Sequence, residues 1–248
     1  MKTFIYTFAF FYFTACNSSQ NTSTENKIID NVSKYAATIS AENLKTHLYI
    51  FASDEFEGRN TGEPGQKKAV KYLKDFYVSA KIESPLGSDD YYQEVPAEFL
   101  NKNSRRGELK ASENVLAFIK GTEKPEEIII SAHLDHEGIK GGEIYNGADD
   151  DGSGSMAILE IAEAFKMAVK EGKGPKRSIL FLHVTGEEKG LLGSKYYTEN
   201  PIFPLSNTVC NLNIDMIGRV DDLHKKDSYY IYLIGSDKLS TTLHKVSD

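Results

Sequence analysis

Cysteine is nearly absent from this chain: 248 residues hold two, Cys16 and Cys210. No network of disulfides can staple the fold, so a packed core must hold it. Cys210 sits in the apolar segment Thr208-Val209-Cys210-Asn211-Leu212 with no activating neighbour, and reads as a small packing residue rather than a nucleophile. An excess of positive charge is missing too. Lys and Arg total 29 against 36 Asp and Glu, a net charge of −7 with a pI near 5.5. No basic stripe interleaved with aromatics appears, which excludes a nucleic-acid binder. The small basic cluster of Lys102, Arg105 and Arg106 reads as a solvated loop. Tryptophan is absent altogether. With 40% hydrophobic content, the length suffices for one sizeable core, or one domain plus a tail.

The N-terminus reads as a targeting segment. Met1-Lys2 gives a positive start, and Phe4 to Ala15 is an apolar run too short to span a bilayer as a mature helix. It ends in Phe13-Thr14-Ala15-Cys16, which resembles a bacterial lipobox, where small residues precede a Cys that becomes the lipid-bearing first residue. The expectation is a lipoprotein-type signal peptide over residues 1–15, a lipid on Cys16 and attachment to the bacterial cell envelope, facing the periplasm or the outside. The alternative is an ordinary secretory signal and a secreted protein. Residues 17–26 are rich in Ser, Thr and Asn, so 16–40 reads as a flexible tether and 41–248 as the folded domain.

Apolar spacing at Leu44, Leu48 and Phe51 predicts a helix from Ala41 to Ala52, followed by the Gly-punctuated loop 54–62 and a second helix from Gln66 to Ala80. Asn114 to Lys120 reads as a strand. Ile128-Ile129-Ile130 and Ile179 to Val184 are apolar runs without alternation, the mark of strands buried on both faces. Ser153 to Lys170 and about Leu191 to Glu199 read as helices. Val209 to Ile214 and Tyr229 to Ile234 read as further strands, and Lys238 to Val246 as a last helix. Alternating strands and helices imply an α/β fold, three layers deep, with a mostly parallel central sheet flanked by helices.

Four polar segments punctuate these runs: Ala132-His133-Leu134-Asp135-His136, Gly147-Ala148-Asp149-Asp150-Asp151-Gly152-Ser153-Gly154, Gly186-Glu187-Glu188-Lys189-Gly190 and Ile214-Asp215-Met216-Ile217-Gly218. Ligands bind beyond the carboxyl ends of strands in such sheets. Neutral imidazole suits zinc, and a carboxylate can bridge two ions. His136 reads as a loop or supporting residue, His183 as a buried, hydrogen-bonded strand residue, and Asp149, Asp151 and Ser153 as helix-capping candidates.

These motifs resemble those of the di-zinc aminopeptidases of metallopeptidase clan MH, the family of bacterial leucyl aminopeptidase (peptidase family twenty-eight). The likeness runs from about Ala52 to Gly218. It implies a phosphorylase/hydrolase-like fold and two zinc ions. His133 and Asp215 would hold one ion, Asp150 would bridge both, and Glu188 would hold the second. Asp135 would accept the ring N–H of His133. Glu187 would be the general base that takes a proton from the attacking water. The substrates implied are peptides, cleaved at their N-terminal residue.

The family pattern has one more His, well downstream of the Asp-Met motif. His224 and His244 are the later histidines here, and neither has that context. The expectation is a chain incomplete at its C-terminal end, lacking one ligand and inactive as it stands. Related readings are a glutaminyl cyclase, disfavoured because such enzymes use a Trp-lined pocket, another amidohydrolase on the same core, and a peptide-binding module without catalysis, which retention of both Glu187 and Glu188 opposes.

Overall fold

The computed structural model describes residues 32–87, 89–104, 107–227 and 229–247. The expected signal peptide, Cys16 and most of the tether lie outside the described residues, as do Arg105 and Arg106 of the basic cluster.

Five strands form the central sheet: β1 (Tyr92–Val95), β2 (Ser112–Ile119), β3 (Lys124–His133), β6 (Arg177–Val184) and β7 (Thr208–Asn213), in the order β1-β2-β6-β3-β7. A separate hairpin pairs β4 (Gly138–Lys140) with β5 (Glu143–Tyr145). The sheet is mixed. β6, β3 and β7 run parallel, with Ile130 opposite Phe181 on one side and Leu212 on the other, whereas β1 and β2 are antiparallel to their neighbours.

Helices cover both faces. On one lie α1 (Ala41–Phe51), α2 (Pro64–Ser79) and α4 (Gly154–Lys170), packed on Val115, Ala117, Ile130, Ala132, Ile179 and Phe181. On the other, Tyr197 of α5 (Leu192–Glu199) joins Leu116, Ile129, Leu180, Leu182 and Val184. Neighbours such as Ile129 and Ile130 therefore serve opposite layers, because successive strand side chains alternate. This is why the apolar runs show no alternation of polarity. The Ser40 hydroxyl caps α1 by accepting from the Asn43 amide at 3.1 Å, and Pro64 opens α2 where its missing N–H costs nothing. A short helix α3 (Ala97–Asn103) follows β1, and α6 (Ser236–Leu239) and α7 (Thr241–Ser247) stand where one continuous helix was expected.

The segment from Tyr229 to Ile234 forms no strand. Its β-branched and aromatic residues favour extended chain, but Tyr229 and Ile234 are 95% and 93% exposed, and no strand among the described residues pairs with them. The sequence reading also passed over β1 and the β4–β5 hairpin. Cys210, on the edge strand β7, is half-buried rather than enclosed. Among the described residues, no helix is long and apolar enough to cross a membrane.

Candidate metal centre

The parallel strands end at one level and deliver the chemistry there. His133 is the last residue of β3, Glu187 and Glu188 follow β6, and Asp215 follows β7. Asp150 arrives from the turn before α4, where the Asp150–Asp151 peptide is cis.

His133 is buried, and its Nδ1 lies 3.0 Å from the Asp135 backbone carbonyl. A carbonyl only accepts, so Nδ1 carries the proton and Nε2 offers a lone pair. That Nε2 faces Asp150 Oδ1 at 2.9 Å, Glu187 Oε2 at 3.9 Å and Asp215 Oδ1 at 4.0 Å. The expected partner of the His133 ring N–H was the Asp135 side chain. The main-chain oxygen of Asp135 takes that place, and the carboxylate stands 3.8 Å away. The carboxylate accepts instead from Thr61 Oγ1 at 2.9 Å and from the Glu187 amide at 3.0 Å. Asp135 thus sets the Glu187 backbone as well as the His133 ring.

A second group consists of His136, Asp150 and Glu188, one donor atom from each lying within 4.8 Å of the others. His136 Nδ1 faces Glu188 Oε1 at 2.8 Å. The sequence reading gave His136 no such part, because Glu188 is distant in the chain and only the fold brings them together. Asp150 also lies 2.9 Å from His133 Nε2, so its carboxylate approaches both histidines, although the group around His133 is completed by Asp151 and Asp215. His224 and His244 join neither group; His224 bonds to Asp221 and stacks on Tyr230.

Asp151 belongs by proximity to a group with His133 and Asp215. Its oxygens are already engaged: Oδ2 accepts from the His133 amide at 3.1 Å, and Oδ1 from the Gly154 amide at 2.9 Å and the Met216 amide at 3.4 Å. It ties the end of β3, the start of α4 and the loop after β7 together, and so braces the site. Asp149 reaches across to the Gly218 amide at 2.8 Å and pairs with Arg219 at 3.0 Å. Ser153 makes no side-chain cap; its hydroxyl donates to the Asp149 carbonyl and accepts from the Ile217 amide. Gly154 is required here, because a β-carbon would sit 2.4 Å from Asp151 Oδ1.

Arg59 is a further supporting residue that the sequence reading passed over inside its loop. It is fully buried, and its guanidinium donates to the carbonyls of Leu134, Phe51, Asn146 and Gly147 at 2.7–2.9 Å while resting on the Phe51 ring. The signal was present as Gly58-Arg59-Asn60, but nothing local says that an arginine will be enclosed.

Burial dominates the electrostatics. It pushes the carboxyls of Glu187, Glu188 and Asp215 upward, and that of Asp151 to about 8. Burial lowers Arg59 to about 10 and also lowers His136. For His133 burial acts downward, but Asp135, Asp151, Glu187 and Asp150 together win and the net shift is upward. Carboxylates crowded this way repel one another unless cations are supplied, and divalent ions reverse these shifts. Two cavities flank the cluster. One of about 350 Å³ touches His133, Glu187 and Asp215 and is walled by Ile129, Leu182 and Val184; one of about 440 Å³ touches His136, Asp150 and Arg219.

The donors fit zinc. The set mixes imidazole with carboxylate, the His133 tautomer leaves Nε2 free as a ligand must be, and the buried atoms His136 Nδ1 and Glu188 Oε1 lack a hydrogen-bond partner of proper geometry among the described residues.

A mixed α/β sheet with two His–carboxylate groups on its strand ends defines a metallohydrolase type of centre. The model of peptidase family M28 matches residues 114–245, more than half of the chain, and the chain belongs to that family. It is 39% identical over 113 residues to an Arthroderma benhamiae protein named "Probable glutamate carboxypeptidase", covering 44% of this chain and 15% of that one. It is 28% identical over 200 residues to leupeptin-inactivating enzyme 1 of Streptomyces exfoliatus, covering 78% of this chain and 39% of that one. The chain therefore spans well under half of either relative. The fold is similar to that of a Zn-dependent exopeptidase from Parabacteroides distasonis, with a TM-score of 0.57, 20% identity, and coverage of 72% and 62% of the two chains.

Proposed function

We propose that this protein is a zinc-dependent exopeptidase that removes N-terminal residues from peptides. One observation carries the reading: Asp150 stands between two His–carboxylate groups, with Glu187 beside them on a cavity wall. His133, Asp150 and Asp215 would hold one ion, and Asp150 and Glu188 the other. Zinc, when bound, would polarise the scissile carbonyl and lower the pKa of a bound water. Glu187, its main chain fixed by Asp135, would take the proton of the attacking water and pass it to the leaving amine. The choice of peptide end follows from charge. Asp135, Asp150, Asp151, Glu187, Glu188 and Asp215 are six carboxylates, more than two divalent ions neutralise. Arg219 is paired with Asp149 and Arg59 is enclosed. The site thus favours a cationic α-ammonium over a C-terminal carboxylate.

The reading extends to a signal peptide over residues 1–15, a lipid on Cys16 that anchors the protein at the bacterial cell envelope, a tether over 16–40 whose end packs on the domain through Tyr35, buried against Ala164 and Ala168, and a peptidase domain over 41–248. Its support is the apolar run ending in Thr14-Ala15-Cys16. Two experiments test these proposals. The purified chain is assayed on leucine and alanine anilides and on N-acylated counterparts, with and without a chelator. Chelator-sensitive release from the free-amine substrates alone is expected, and equal or preferred cleavage of N-acyl substrates rules the N-terminal assignment out. For the anchor, Cys16→Ser should leave the membrane fraction; persistence there after correct processing places the anchor elsewhere.

A further inference from the structure

We propose that the end of the domain opposite the metal centre is a docking surface for anionic phospholipid headgroups, lying on the bilayer to which Cys16 attaches the chain. The proposal rests on the anchor reading above for the nearness of a bilayer and uses nothing of the zinc reading. Its consequence is an orientation, with the metal centre held away from the membrane.

The first observation is where the chain enters the domain. Tyr35 is buried against Ala164 and Ala168, in the second half of α4, and its hydroxyl donates to Glu171 Oε2 at 2.7 Å. Lys34 pairs with the same carboxylate. α4 starts at the metal centre, where the Gly154 amide meets Asp151, and its 17 residues end about 25 Å away at Lys170. The tether therefore joins the domain at the far end.

The second observation is charge. β3 and β6 begin at that end, with Lys124 opposite Arg177, and β2 ends there just before Lys120. The loops before β3 and β6 are tied together, the Thr122 amide donating to the Pro175 carbonyl at 3.0 Å. Lys120, Lys124, Lys170, Lys173, Lys176 and Arg177 are all exposed. Against them stand Glu171, engaged by Lys34 and Tyr35, and Glu123, 3.3 Å from Lys176. Glu126 is half-buried, and Glu127 is buried and accepts from the Thr208 hydroxyl. Glu83, Asp89 and Asp90 are exposed but lie to the side, toward the edge strand β1. A cationic end thus stands out on a chain whose net charge is −7.

The third observation is distance. β3 has 10 residues, so Lys124 and His133 are about 30 Å apart, and a bilayer touching the basic loops leaves the metal centre clear. A fully extended chain from Cys16 to Tyr35 reaches at most about 65 Å. The tether alone would let any face turn to the membrane, so charge decides which one does. Exposed lysines and arginines are drawn to anionic headgroups within about 10 Å at ordinary salt, and a lipid with a basic surface makes a two-part anchor.

The test places the full, lipidated chain in vesicles of phosphatidylcholine, with or without phosphatidylglycerol, that carry a quencher on their headgroups. In a Cys210→Ser background, Lys173→Cys or Glu143→Cys holds a fluorophore. Glu143 is exposed in the β4–β5 hairpin, near Tyr145 on the wall of the His136 cavity, and so reports the metal-centre end. With phosphatidylglycerol present, the probe at 173 should be quenched severalfold more than the probe at 143. Replacing Lys120, Lys124, Lys170 and Lys176 together by Gln should remove the difference and leave anilide hydrolysis in solution unchanged. Equal quenching, stronger quenching at 143, or a difference indifferent to phosphatidylglycerol or to the four substitutions overturns the proposal. Mass spectrometry of Cys16 checks the anchor separately. A Cys16 without lipid removes the anchor reading alone, and the surface is then judged by sedimenting the unlipidated chain with phosphatidylglycerol vesicles. Binding that falls at least tenfold in the four-Gln variant keeps the surface; no binding, or binding that the variant retains, overturns it. Membranes from Cys16→Ser cells are washed with salt before fractionation, which releases a protein held by charge and leaves one held by lipid.

Discussion

The main-chain amide of Glu187 donates to Asp135 Oδ1 at 3.0 Å. The other oxygen of that carboxylate accepts from Thr61, and the carbonyl of the same residue holds the His133 ring. One buried aspartate therefore positions a proposed ligand and the proposed base together. Asp135→Ala removes the acceptor for both donors. It should lower stability by about 1–3 kcal/mol, the cost of a buried group left unpaired. Asp135→Asn, with the same shape, should lose less. Urea unfolding of the two metal-free variants beside wild type checks the order.

Glu187 and Glu188 are adjacent but face different partners, Glu187 toward His133 and Glu188 toward His136. Glu187→Gln should keep zinc and lose turnover by about 10²–10⁴-fold, the range for removing a general base. Glu188→Gln should lose zinc affinity as well. Metal content after dialysis, measured beside anilide hydrolysis, reads the split. Equal metal loss in both variants contradicts the assignment.

Arg59 satisfies four carbonyl oxygens from three separate segments. Arg59→Met keeps much of the packing on Phe51 but strands those oxygens. The expected loss is about 3 kcal/mol or more, since each unpaired buried acceptor costs about 1–3 kcal/mol. Zinc uptake should also weaken, because the loop carrying Asp150 loses its hold. Chemical unfolding and dialysis measure the two effects separately.

His183 is enclosed, and its charge state follows from its partners. Ser155 Oγ donates to the His133 carbonyl, so it accepts from His183 Nδ1, and His183 Nε2 accepts from the Tyr77 hydroxyl at 2.7 Å. Burial lowers this histidine to about 3 and raises Tyr77, which stays protonated. The unfolded chain takes up a proton near the ordinary histidine value of about 6.5, whereas the folded chain does not. The contribution is complete above that value and is lost as pH falls toward the folded one. Below about pH 6.5 the stability margin of wild type over His183→Asn should shrink by about 1.4 kcal/mol per pH unit. A margin that stays flat down to pH 4 refutes it. Denaturant midpoints at stepped pH give the comparison.

What the sequence made legible follows the length scale of each signal. β3 and β6 announce themselves because both their faces are buried, and α4 because its apolar positions recur with the helical period. β1 was hidden. Gln93 and Glu94 look like loop residues, and Gln93 is buried only because Asn114 and the Asn200 carbonyl bond its amide. Tyr229 to Ile234 erred the other way, since β propensity describes a fit to neighbours, and none among the described residues pairs with this segment. Within the site, His133, Glu187, Glu188 and Asp215 could be picked out because each closes or follows an apolar run, and Asp150 because it stands in a Gly- and Asp-rich segment that leads into an apolar helix. Arg59, Thr61 and the position of His136 could not, because their meaning lies in contacts made from distant parts of the chain.

The level ending of β6, β3 and β7 divides the molecule into two zones with different thermodynamic dependence. Below that level, ladder bonds and side chains such as Phe181 and Leu180 are shielded from water, and each large apolar side chain contributes about 1.5–3 kcal/mol without help from any ion. Above it, loops carry more carboxylates than Arg59 and Arg219 can balance, and the proposed cations would supply the remaining charge. Stripping the ions should therefore speed solvent exchange of the amides of Met216, Gly218 and Glu187, while those of Ile130 and Phe181 keep the slow exchange of the intact sheet. On the zinc reading, loss of the ions should therefore be a reversible local event at the rim, with the sheet beneath still folded.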